Sequence, residues 1–109
     1  MKFGTAQEKA FARELVQRLS KDLPPDVMAS RRQVLSVNRI TRLLDKTYQA
    51  AAGYQREHRI GFIKRAVLAN AFKWELASSG YPADFVDVAT EGLVVEITKV
   101  SREAAAAGQ

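Results

Sequence analysis

The chain has no cysteine, a single histidine and three prolines. Without cysteine there is no disulfide, no thiolate nucleophile and no cysteine-held metal; a reducing compartment is permitted but not required. The one imidazole, His58, stands in the run REHRIGF, with no partner set that reads as a catalytic triad. A cation completing a helix end is its plainer role. The six glycines are dispersed, so no phosphate-cradling loop is present. Long hydrophobic runs are missing too. Glu8, Lys9, Arg13 and Glu14 interrupt the N-terminal stretch MKFGTAQEKAFAREL, and no later segment has the length of a membrane span. The expectation is a cytoplasmic protein with no catalytic residues, no metal, no cofactor and no membrane partner.

At 109 residues the chain suits one domain over roughly 1–100, with SREAAAAGQ, 101–109, as a tail that has nothing large to anchor it. Its hydrophobic content of 47 % against 27 % charged residues is that of a chain that folds. Apolar residues recur at helical spacing in most of it. Phe11, Leu15 and Leu19 predict a first helix from Thr5 to Leu19, with Thr5 and Glu8 as a capping box. The Pro24–Pro25 pair ends it and starts a short helix to about Val34. Ser36 then caps a helix from Val37 to about His58. The segment GFIKRAVLANAFKWELASSG has apolar residues all round its axis, including Phe62, Ile63, Phe72 and Trp74, which predicts a buried central helix over about 61–79. Gly80 supplies a left-handed stop, and Val86, Ala89, Leu93, Ile97 and Val100 mark a last helix. Its LVVEITKV stretch is rich in β-branched residues, but a strand there has no partner elsewhere in the chain. The fold class is therefore all-α: a compact bundle of four to five helices.

Charge is distributed unevenly. Residues 1–30 carry a balance of +1, residues 31–73 of +8 and residues 74–109 of −4. The basic middle is ordered. In SVNRITRLLDKTYQ, at about 100° per residue, Val37, Ile40, Leu44 and Tyr48 fall on one side of the helix and Arg39, Arg42 and Lys46 on the other. Arg31, Arg32, Arg56, Arg59, Lys64 and Arg65 extend this stripe at both ends, with few acids between. Clustered cations bind a phosphate backbone by releasing its counterions, which requires no sequence motif.

The stretch ASRRQVLSVNRITRLL resembles a helix-turn-helix, with a turn at Leu35 and Ser36, though no glycine occupies that turn. The resemblance implies that Asn38, Arg39 and Arg42 face the major groove. A small non-enzymatic nucleic-acid-binding protein is one expectation. The other is a protein-interaction module, or a subunit of a larger assembly. There the basic stripe meets the Asp84, Asp87, Glu91 face, within a monomer or between copies in a homo-oligomer; the i, i+3, i+7 spacing of that face is otherwise that of a solvated helix side. Tyr54, at the margin of its helix, is the aromatic to watch for contact with a partner.

Overall fold

The structure is a computed structural model and describes residues 4–30 and 36–107. It is an all-α bundle of five helices: α1 (Ala6–Asp22), α2 (Pro25–Ser30), α3 (Val37–His58), α4 (Phe62–Ser78) and α5 (Ala83–Ala107). The four long helices form a ring in which α1 packs on α4, α4 on α5, α5 on α3 and α3 on α1. Consecutive helices α3 and α4 therefore stand on the ring's diagonal. Direction follows from side-chain contacts. Arg13 meets Glu75 and Tyr81 reaches Leu23, so α1 and α4 run the same way. Tyr54 meets Glu8 near the opposite end of α3, so α3 runs against α1. All four helices contribute to one core, whose largest fully buried side chain is Phe72 on α4.

Local chemistry explains most boundaries. Ser36 Oγ accepts the Arg39 amide at 3.1 Å, which satisfies one free donor at the start of α3. At the end of α4, Gly80 takes φ +99°. The Tyr81 amide then reaches back to the Leu76 carbonyl at 3.2 Å, closing the helix in the Schellman manner. LVVEITKV is helical, since its branched residues Leu93, Ile97 and Val100 bury on one side of α5, and packing overrides propensity. No strand occurs among the described residues. α5 carries on to Ala107, through the region read as a tail. After Ser101 its side chains are exposed, so backbone bonding and alanine propensity hold it.

Three expectations need correction. The Thr5 hydroxyl makes no capping bond. Glu8 instead turns inward, where its Oε2 accepts the Tyr54 hydroxyl at 2.6 Å. Val37 does not join the buried side of α3 and is 78 % exposed. Leu44 lies beside Phe85 near the start of α5; Val37, two turns nearer the beginning of α3, only borders the groove that Met28, Asp84 and Phe85 also line, and is not enclosed there. Finally, α4 has the buried contacts expected of the central helix, but its apolar residues are not enclosed all round. Leu68, Ala69, Phe72 and Leu76 are buried, whereas Phe62, Ile63 and Trp74 are 77 %, 49 % and 66 % exposed. A helix in a four-membered ring has two neighbours, and these cover about half its circumference.

One close approach explains a glycine inside α5. The Tyr48 ring lies over Gly92, and its hydroxyl donates to the Ala89 carbonyl at 2.9 Å. A Cβ on Gly92 would stand 2.5 Å from the ring's Cζ. Gly92→Ala should thus destabilise by about 1–3 kcal/mol through overpacking, despite alanine's helix advantage of about 1 kcal/mol. In a Tyr48→Ala background the sign should reverse. Melts of the four proteins in this double-mutant cycle test it, and a stabilising Gly92→Ala in both backgrounds would refute the contact.

Candidate nucleic-acid interface

The first half of α3 presents the densest part of the basic stripe. Asn38, Arg39, Arg42 and Lys46 are all exposed. From Arg39 to Lys46 the helix rises about 10 Å, and the three cations share the side that faces away from Leu44, Ala51 and the core. Among the described residues no ion pair joins Arg39, Arg42 or Lys46 to an acid. On α5, Asp87 points toward α4, with Oδ1 3.8 Å from Lys73 Nζ, whereas Asp84 lines a groove with Val37, Ile40 and Thr41 at the start of α3. Asp84 Oδ1 accepts the Phe85 amide at 2.8 Å.

The rest of the stripe separates. Arg31 and Arg32, and the turn of the helix-turn-helix reading, lie outside the described residues. Arg56 is exposed but about 15 Å further along α3 than Lys46. Arg59 is exposed at the α3 terminus, in the left-handed conformation with φ 49°, and its amide donates to the Gln55 carbonyl at 2.8 Å. Lys64 and Arg65 are half-buried on α4. Arg65 Nη1 donates to the Ile60 carbonyl and to Ser101 Oγ, each at 3.0 Å, which ties the α3–α4 turn to α5.

Two cations that the stripe omitted join Lys46 from another helix. Arg18 and Lys21, with Asp22, border a groove between α1 and α3 whose floor is Leu15, Leu19, Leu43, Thr47 and Ala50. Arg18 also pairs with Glu14 along its own helix. Their signal in the sequence is only a pair of bases late in α1; what places them beside Lys46 is the packing of α1 on α3.

Tyr54 is not a stacking platform. It is 8 % exposed, its ring stacks on Phe11 at 4.2 Å between centroids, and its hydroxyl is bound to Glu8. Burial, then the Glu8 hydrogen bond and the charges of Glu8 and Glu57, raise its pKa well above the ordinary tyrosine value. His58 is the exposed last residue of α3, with Nε2 3.5 Å from Gln7 Nε2 and its ring against Tyr54. No group of three or more His, Asp or Glu residues arranged to hold a metal occurs among the described residues, the Asp84, Asp87, Glu91 side included. No helix among them is long and apolar enough to cross a membrane. Comparison with protein-family models, with curated proteins and with solved structures finds no match to the chain.

Proposed function

We propose that this protein is a small, non-enzymatic nucleic-acid-binding protein that engages the phosphate backbone through the first half of α3. The observation that carries this reading is the absence, among the described residues, of an acidic partner for Arg39, Arg42 and Lys46, three exposed cations within two helical turns. Neutralised cations would release few counterions from a bound polyanion; open ones release one for each phosphate they meet. In a helix-turn-helix docking, Asn38, Arg39 and Arg42 approach base edges while Lys46 and the α1 residue Lys21 flank the backbone.

The three substitutions Arg39→Gln, Arg42→Gln and Lys46→Gln, made together, should leave the fold intact because none of these side chains is buried. Binding to a mixed duplex and to a single strand, titrated at several salt concentrations around physiological with heparin as competitor, should weaken. The log–log salt slope should flatten by about 0.7 to 0.9 for each of the three that contacts phosphate, Lys46 first among them. Equal binding by the wild type and the triple variant, or no binding near physiological salt, would reject the reading.

A second reading, a protein-interaction module, is favoured by a different observation: the exposed apolar side of α4 around Trp74. The two are not exclusive, because α3 and α4 face opposite ways across the bundle's diagonal.

A further inference from the structure

α4 is apolar on both sides, but the fold uses only one. On the outer side Ile63, Val67, Asn70, Trp74 and Ala77 follow one another at intervals of four, three, four and three residues. All are exposed except Val67, which is half-buried. That is the heptad spacing of a helix–helix seam, with one polar residue, Asn70, at its middle. Monomeric proteins seldom leave such a stripe, including their only tryptophan, in water.

We infer that this seam is the contact between two copies of the chain, with the two α4 helices parallel about a two-fold axis. The charges beside the seam select both the occupant and its direction. On the α1 flank stand Lys9 and Arg13, which border the same depression as Val67, Asn70 and Trp74. On the α5 flank stand Asp87, level with Lys73, and Glu91 one turn further along. One flank is basic and the other acidic over the same length of α4. A two-fold axis parallel to the helix carries the α1 flank of one copy onto the α5 flank of the other, so bases meet acids at matching height. An axis across the helix sets base against base and acid against acid, which is penalised. A single surface that is complementary to itself in one orientation and repulsive in the other is what an isologous contact requires.

Arg13 and Asp87 already touch Glu75 and Lys73, at 3.1 and 3.8 Å. Arg13, Lys73 and Asp87 are exposed and Glu75 is half-buried; pairs with an exposed cation hold weakly, so they do not prevent contacts across the seam. Asn70 meets its own copy on the axis, where a hydrogen-bonded amide pair fixes the register at some expense of affinity. Because the bundle already holds α4 folded, association carries little ordering entropy.

The absence of cysteine makes the geometry directly testable. Sedimentation equilibrium on the full chain should show a concentration-dependent rise from 12.1 kDa to twice that mass. The emission of Trp74 should shift to the blue over the same range. Trp74→Glu and Ile63→Glu should each raise the dissociation constant about thirty-fold or more, with helicity unchanged and, at concentrations too low for the wild type to associate, a melting temperature close to wild type. Lys9→Glu with Arg13→Glu should weaken the dimer, and adding Asp87→Lys with Glu91→Lys should restore it. Under mild oxidation Ala77→Cys should cross-link as a homodimer, since parallel copies bring position 77 onto the axis. An antiparallel pair places it opposite Ile63. A chain that stays monomeric throughout assigns the seam to a different protein and overturns the inference. A dimer indifferent to Trp74→Glu, or one that Ala77→Cys fails to link, overturns it as well. None of these outcomes depends on nucleic-acid binding.

Discussion

Phe72→Ala should cost about 3–5 kcal/mol, while Trp74→Ala, two residues away on the same helix, should cost under about 1 kcal/mol. Phe72 is fully buried where α4 meets the core, so truncation removes its transfer energy and leaves a cavity in that core. Trp74 is 66 % exposed in the single chain, and its outer side loses only contact with water. Denaturant titrations at low protein concentration, where copies do not associate, compare the two directly. Equal losses would mean that α4 is enclosed on both sides within one chain. A loss at Trp74 that grows with protein concentration would instead report the contact between copies, because association stabilises the folded state by mass action.

The second large effect is expected at high pH. All three tyrosines donate their hydroxyls to protein acceptors: Tyr48 to Ala89, Tyr54 to Glu8 and Tyr81 to Leu23. Burial pushes the Tyr48 and Tyr81 pKa values up to about 12, and Tyr54 is raised too, by burial first and by Glu8 second. The unfolded chain ionises near the ordinary value of about 10. The native state therefore holds these protons more tightly. Their contribution to stability is complete below about pH 10 and is lost as the pH rises from there through about 12. Tyrosinate absorbance and circular dichroism should move together, in one cooperative step inside that window. Tyr81→Phe, which removes one of the ionising groups, should shift the alkaline midpoint upward even if it lowers stability at neutral pH. A gradual titration centred near pH 10 with the helices intact would disprove the account.

What was legible in the sequence was what depends on neighbours within a turn or two. The Ser36 cap, the Gly80 stop and the direction of Arg39, Arg42 and Lys46 are set by φ, ψ and the 3.6-residue period, so the residues themselves declare them. Thr5 and Glu8 had the form of a capping box, but Glu8 had a stronger partner 46 residues away, and no local pattern contains Tyr54. Trp74 was misread for a related reason. Periodicity reports that a side is apolar without reporting what covers it, and coverage is a property of the ring of helices. Arg65 failed as a free cation and Lys21 was overlooked as one because each depends on a helix pairing: Arg65 on α4 beside Ser101 of α5, Lys21 on α1 beside Lys46 of α3.

The diagonal placement of α3 and α4 sets the valence of any assembly. Two copies joined along α4 carry their α3 arginines on averted poles, too divergent to close around one duplex or to read two half-sites on the same side of it. If both proposals hold, such a particle would be a two-headed linker. Mixed with long nucleic acid it should join segments into a network, with light scattering that peaks at an intermediate ratio and falls when either component is in excess. The arginine triple variant should abolish that peak, and Trp74→Glu should abolish it while leaving attachment to a single strand in place.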